Sequence, residues 1–184
     1  MAIKTPKSAR LVFRGKIFDV YQWRQRMFDG SYQTFERLKR PYTVSIIATF
    51  KNKVLIAHEE QPLAKRELGL FAGRMEKGES PIKAAKRELL EESGMVSNNW
   101  HLIKVSDPVS KIDWKVYLFS AANCRKVADQ QLDSGERIKI SSVSFEKFMS
   151  LSHRFDGNLG NYLSEISESK KAREKFRKLL FSLV

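Results

Sequence analysis

Residues 73–95 read GRMEKGESPIKAAKRELLEESGM, an uncommon density of carboxylates inside what is otherwise a well-delimited helix. Ser80 stands where a helix is capped, and Pro81 suits the first helical position because its missing N–H has no partner there anyway. Gly94 supplies the left-handed conformation in which helices often end, so the spacing predicts a helix over Ser80 to Ser93. On it Glu88, Glu91 and Glu92 fall at i, i+3 and i+4 and project from one side within a turn. Like charges so placed repel by about 0.2–0.5 kcal/mol per pair, a cost that a divalent cation among them removes. Hard oxygen donors of this kind suit Mg²⁺ or Mn²⁺. Ile82, Ala85 and Leu89 form the opposite, apolar stripe, which turns the carboxylates away from the core toward the surface or a cleft. Gly73 and Gly78 bracket a loop before the helix, where backbone carbonyls can approach whatever the carboxylates hold. Arg87 is placed to orient the acidic group through a bidentate pair with Glu79 or Glu91. For the spacing alone, the alternative is a solvated acidic face answered by Lys83, Lys86 and Arg87.

Outward from this segment, the chain reads mostly as strands. Residues 11–28 and 31–50 are rich in β-branched and aromatic types and meet at Asp29-Gly30, a hairpin signal leading into a core strand from Thr43 to Phe50. A tight turn at Lys51-Asn52-Lys53 leads to a short buried strand, Val54 to His58, and further strands are expected at Trp100 to Val105 and Trp114 to Ala121. A short helix is expected at Phe145 to Leu151. A last one, Glu168 to Val184, carries Phe176, Leu179, Leu180 and Leu183 as a stripe expected to pack on the sheet. No internal repeat or linker divides the 184 residues, so one domain is expected over 1–184, with a hairpin extension at 1–40 and a C-terminal helical segment at 152–184. Strands on both sides of one helix, with helices late, argue an α/β or α+β sandwich.

The segment resembles the signature of the Nudix hydrolases: Gly73, Glu79, Arg87, Glu88, Leu89, Glu91, Glu92, Gly94 and Met95 meet all nine of its defined positions over 23 residues. The resemblance implies an α/β/α sandwich with a mixed sheet and a loop-helix-loop site. It implies Glu88, Glu91 and Glu92, with the carbonyl of Ala72, as candidate ligands of Mg²⁺ or Mn²⁺, Glu88, Glu92 and Arg87 as catalytic candidates, and Gly73, Glu79 and Gly94 in support. The family's chemistry is attack of water on a phosphorus of a nucleoside diphosphate linked to another group, which needs positioning and electrostatics and no covalent nucleophile.

The hairpin before the first core strand, Ala72-Gly73-Arg74 and the late acidic segment LDSGERIKI at 132–140 carry a looser resemblance, over Phe18 to Met149, to ADP-ribose and ADP-sugar pyrophosphatases, which implies a nucleotide-sugar substrate and a homodimer formed through the N-terminal hairpin. Arg74 and Arg66 are then candidates for the diphosphate, Phe28 and Tyr32 for the adenine, and Glu136, in the polar segment Leu132-Asp133-Ser134-Gly135-Glu136, for the general base, with Asp133 second. The chain departs from these relatives in carrying Gly69-Leu70-Phe71 before Ala72-Gly73, and Gln61-Pro62-Leu63 where Gln, an aromatic residue and Arg are usual.

Composition narrows the alternatives. With 42% hydrophobic and 30% charged residues, the chain is neither collagen-like nor largely disordered. No apolar run approaches the roughly 18 residues of a membrane helix, and the start, MAIKTPKSAR, lacks the apolar stretch of a secretory signal, so a cytoplasmic protein without membrane partners is expected. Cys124 is the single cysteine, which excludes an internal disulfide. A net charge of +13 draws phosphorylated partners. The rival reading is an RNA 5′-end pyrophosphohydrolase or RNA-binding protein, in which the six Lys or Arg among residues 168–184 follow a phosphate backbone. A helix docked by its apolar stripe with its basic side in water is the more ordinary reading of the same residues.

Overall fold

The computed structural model describes residues 4–155 and 157–181. In chain order its strands and helices are β1 (Arg10–Arg14), β2 (Asp19–Arg26), β3 (Tyr32–Lys39), β4 (Thr43–Phe50), β5 (Lys53–Gln61), β6 (Ala64–Gly69), β7 (Phe71–Arg74), α1 (Pro81–Ser93), β8 (Met95–Val96), β9 (Asn99–Ser106), β10 (Ile112–Asp113), β11 (Val116–Ala122), β12 (Arg125–Lys126), β13 (Arg137–Val143), α2 (Phe145–Ser150), α3 (Gly157–Ser167) and α4 (Lys170–Phe181).

The N-terminal segment forms its own sheet, ordered β1-β2-β3-β10. The Asp29-Gly30 turn is present: Gly30 has φ +86°, and the Asp29 carboxylate accepts from the Ser31 amide at 2.9 Å and its hydroxyl at 2.7 Å. The first arm, however, is two strands. The Gly15 N–H donates to the Phe18 carbonyl at 3.0 Å, folding β1 back along β2 as a third strand of a meander.

The main sheet has the order β13-β5-β4-β11-β9, with β4 and β11 parallel and the other pairs antiparallel. Lys51 and Asn52 both take positive φ, +47° and +59°, as a two-residue hairpin turn requires. Beyond Thr49↔Val54 and Phe50↔Lys53, β4 and β5 pair no further. The wedge between them is filled by two strands the sequence reading leaves out, β7 along the first half of β4 and β6 along the second half of β5. Gly73 therefore sits in a strand and not in a loop, because β7 completes the edge that β4 would otherwise leave unpaired.

Alternation along β4 feeds two cores. Val44, Ile46 and Ala48 pack with Ala84, Ala85 and Leu89 of α1, whereas Ile47 faces Phe148, Leu163, Phe176 and Leu180 of α2, α3 and α4. The result is the expected α/β/α sandwich with a mixed sheet. α3 lies within the expected C-terminal helical segment, 152–184, but ahead of the helix expected from Glu168, at residues that carry no helix signal of their own. Its first turns, Gly157-Asn158-Leu159-Gly160-Asn161, are poor helix formers, and Gly160 is retained by packing, since a Cβ there would lie 2.4 Å from the Phe155 carbonyl oxygen. α4 begins at Lys170, and Leu183 lies outside the described residues. Phe176 and Leu180 are buried as the stripe requires, and Arg173 and Arg177 pair with Glu146 of α2, so this is the docked helix of the ordinary reading. No helix among the described residues is long and apolar enough to cross a membrane.

One buried hydroxyl ties the layers together. Thr49 Oγ1, on β4, donates to the Leu180 carbonyl of α4 at 3.1 Å and accepts from the Asn123 N–H at 3.1 Å. Thr49→Val keeps the shape and strands both partners, a loss of about 1–3 kcal/mol. Calorimetry should show a Tm lower by about 2–4 °C per kcal/mol lost, with the secondary structure unchanged.

Candidate active site

The site forms where α1 crosses β7. A Cβ on Gly73 would stand 2.0 Å from the Glu88 carboxyl carbon and 2.1 Å from both of its oxygens, so the Glu88 carboxylate lies directly on the glycine backbone. One turn on, Glu92 Oε2 accepts from the Ala72 N–H at 3.0 Å. The small residues of β7 let the strand approach the helix this closely. Consequently Glu88 and Glu92 are buried, with 9% and 7% of their surface exposed; of the two expected settings, surface or cleft, these two carboxylates take the cleft, and Glu91 is partly exposed. Burial pushes the Glu92 carboxyl up to about 9, against the opposing pull of the Ala72 N–H. Burial also raises Glu88, opposed by Arg87 and reinforced by Glu91 and Glu136.

Arg87 holds the acidic group together. Its Nε and Nη2 form a fork on the two oxygens of Glu79, at 3.2 and 3.0 Å. Nη1 donates to Glu88 Oε1 at 2.8 Å and Glu91 Oε2 at 3.0 Å, and Nη2 also reaches the Arg74 carbonyl at 2.9 Å. The bidentate pairing expected with Glu79 or Glu91 is thus made with Glu79, while Glu91 takes a single bond. Glu79 also accepts from the Glu76 N–H at 3.0 Å, and the Arg87 guanidinium holds its carboxyl below the usual range. Ser80 occupies the cap position of α1 without a side-chain cap bond, whereas Gly94 ends the helix in the left-handed conformation, φ +65°, its N–H donating to Leu90 O.

A second group of residues closes the site from the β5–β6 side. Arg66 pairs with the Glu59 carboxylate across the strand register. Glu59 Oε1 accepts from Gln61 Nε2 at 2.6 Å, and the same nitrogen lies 3.5 Å from Glu136 Oε1. Burial raises the Glu136 carboxyl, Asp133 and Glu59 add to the shift, and Arg74 opposes it. The segment leading to Glu136 is laced to the end of α1: the Gln131 N–H donates to Glu91 O at 2.8 Å, and Gln130 Nε2 to Glu92 O at 2.6 Å and Ile138 O at 3.1 Å. Glu88, Glu91, Glu92, Glu136, Arg87, Arg74 and Arg66 are therefore brought together. Phe28 is fully exposed and Tyr32, under the Arg24 guanidinium, is half-exposed. No described contact joins either to the carboxylates.

Sequence reasoning passes over Glu59, Gln61 and Gln130. The signal for Glu59 was the pairing of Glu and Arg across a turn at Pro62-Leu63, legible only once β6 is seen to be a strand.

Among the described residues, no three acidic, His or Cys side chains converge as a ready metal cage; Glu88 and Glu91 are engaged by Arg87 instead. The donor set nevertheless fits a hard divalent cation. Two carboxylates are buried one turn apart with like charges close by, and Glu92 has a single backbone N–H as its partner in place of a cation. This is the local charge imbalance that a divalent ion relieves.

Comparison with known proteins places this geometry. The NUDIX domain model matches residues 39–164. The chain is similar to an ADP-ribose pyrophosphatase of Bacillus subtilis (strain 168), 28% identical over 146 residues that cover 76% of this chain and 78% of the relative. It is also similar to a methanol dehydrogenase activator of Bacillus methanolicus, 27% identical over 148 residues, covering 78% and 80%. A crystal structure of an ADP compounds hydrolase shares the fold, with a TM-score of 0.67 at 20% identity over 94% of this chain and 98% of the other.

The burial of Glu92 sets a sign for stability. Its carboxyl titrates near 9 when folded against an ordinary value of 4.5, so the folded state holds a proton that the unfolded chain has released, and metal-free stability falls as pH rises between those values. Glu92→Gln should raise the metal-free Tm at pH 8 above that of the wild type and flatten its pH dependence. The same variant should lose most of the Tm gain that Mg²⁺ or Mn²⁺ gives the wild type. Thermal melts at pH 6 and pH 8, with and without each ion, check both halves.

Proposed function

The chain belongs to the NUDIX domain family and is a Nudix hydrolase, and from that premise we propose that it hydrolyses the pyrophosphate bond of ADP-ribose or a related ADP-sugar, giving AMP and a sugar phosphate. The observation that carries this reading is the acidic cleft in which Arg87 gathers Glu79, Glu88 and Glu91 while the buried Glu92 accepts from the Ala72 N–H, with Glu136 within electrostatic reach of Glu88 and Glu92. The similarity to a protein named for ADP-ribose supports the choice of substrate.

In this reading Glu88, Glu91 and Glu92, with the Ala72 carbonyl, would hold Mg²⁺ or Mn²⁺. Bound there, the ion offsets the charge developing on the diphosphate and acidifies water. Arg87 and Glu79 keep the helix carboxylates oriented, with Gly73 and Gly94 admitting the close backbone approaches. Arg74 and Arg66 flank the carboxylates and bind the diphosphate oxygens. Glu136 accepts the proton of the attacking water as its oxygen bonds to phosphorus and the anhydride P–O bond breaks. A cavity of about 300 Å³ beside Glu136, with Glu60, Ser134 and Arg137 in its wall, is polar enough to take the sugar.

The proposal includes one domain spanning the chain, a homodimer and a cytoplasmic setting. For the last, the support is that the chain carries no disulfide framework of the kind small secreted domains use. For the dimer it is the face of the N-terminal sheet that carries Leu11, Tyr21, Trp23 and Phe35 in register, with Leu11 and Phe35 exposed. Adenine contacts from Phe28 and Tyr32 depend on that dimer.

Incubation with a panel of nucleoside diphosphate derivatives and Mg²⁺ or Mn²⁺, read by mass, should release AMP and a sugar phosphate from ADP-ribose faster than capped or triphosphorylated RNA is converted to its 5′-monophosphate form. Glu136→Gln should lower kcat by about 10²–10⁴ with little change in metal affinity. A change below about threefold, outside that range, refutes Glu136 as the base. Light scattering should give twice the 21.3 kDa chain mass, and Phe35→Glu should return the monomer.

A further inference from the structure

Glu136 lies in a polar turn, and the element facing it is the end of β5. Gln61 is the last residue of β5. Its Nε2 donates to Glu59 Oε1 at 2.6 Å and stands 3.5 Å from Glu136 Oε1, so one neutral amide lies between two carboxylates. Glu59 is itself held on its other oxygen by Arg66 Nη2, which also reaches the Leu70 carbonyl at 3.5 Å. The Glu136 turn lies close to the same hairpin: a Cβ added at Gly135 would reach Pro62 Cδ at 3.9 Å. Gln61, Pro62 and residues 134–137 together line the cavity described above.

We propose that Gln61 is the positioning residue for Glu136, passing to it the fixed geometry of the Arg66–Glu59 pair. The inference rests on the reading of Glu136 as the base. An amide suits this role because it has two N–H donors and no charge, so it satisfies both carboxylates without neutralising either. A lysine in its place would make an ion pair with Glu136 and weaken it as a base. The 3.5 Å separation is longer than the roughly 2.7–3.2 Å of a formed N–H···O bond, and catalytic contacts are often this loose before substrate is bound. Gln61 is exposed, so its substitution leaves the cores intact.

The test is a double-mutant cycle on kcat and KM with the diphosphate substrate that the panel turns over fastest, together with hydrogen exchange at residues 133–136. Gln61→Ala should lower kcat about tenfold with KM within about twofold, and should speed exchange of the Glu136 amide, which is bonded to the Asp133 carbonyl. Gln61→Glu, of the same shape but without donors, should lose at least as much, whereas a packing role would tolerate it. Added to Glu136→Gln, Gln61→Ala should cost nothing further, because the group it positions is gone. A Gln61→Ala enzyme with wild-type kcat and exchange, or one whose loss multiplies that of Glu136→Gln, overturns the positioning role and leaves the base assigned. A Glu136→Gln enzyme with wild-type kcat overturns the base and the positioning role together.

Discussion

A single guanidinium organises the acidic side of this molecule. Arg87 has five N–H donors, and each has an acceptor: two on Glu79, one each on Glu88 and Glu91, and the Arg74 carbonyl. It therefore joins the loop before α1, two turns of the helix and the end of β7 at one point. Planarity makes this possible, since a fork can engage Glu79 on one side while Nη1 reaches along the helix on the other. A lysine there would neutralise as much charge and fix far less geometry.

The charge around that point remains unbalanced. Glu59, Glu79, Glu88, Glu91, Glu92 and Glu136 face Arg66, Arg74 and Arg87, and Arg66 and Arg87 are already committed to carboxylates. Glu92, the most deeply buried of the helix carboxylates, has only a backbone N–H. A chain whose net charge is +13 thus concentrates negative charge in one cleft. The basic surface attracts an anionic substrate from a distance, and the acidic cleft prefers a cation.

The split of the sheet puts these groups in reach of one another. β4 and β5 part after two residue pairs, and the opening receives β7 beneath α1 and β6 beside β5. One flank of the opening presents Gly73 and Ala72 to the helix carboxylates; the other presents Glu59 and Gln61 to Glu136. Thr49, near the point where the two strands part, bonds to α4 on the far face, so the layer that carries no site residues still secures the strand on which the site is built.

Local signals carried much of this. Pro81, Gly94 and the Ile82, Ala85, Leu89 stripe define α1 without help from the rest of the chain, and the spacing of Glu88, Glu91 and Glu92 puts them on one side of it. Phe176 and Leu180 mark the docked face of α4. These features depend on periods of a few residues, which any folded context preserves. Where distant segments meet, the sequence was silent or misleading. α3 opens on weak helix formers, with Gly160 under the Phe155 carbonyl, and is held by Leu163 and Ile166 in the second core, a tertiary demand that overrides helix propensity. β6 and β7 are too polar or too small to read as strands, and exist because the parted sheet leaves edges that need hydrogen bonds. By itself, the sequence determined the helix, its carboxylates and the family. Only the tertiary structure decided that Glu88 and Glu92 are buried, that Arg66 holds Glu59, and that Gln61 stands beside Glu136. The physical reason is that burial and partner choice depend on which backbone comes within a few ångströms, and residues 59, 72, 88 and 136 are brought that close only by the divergence of β4 from β5.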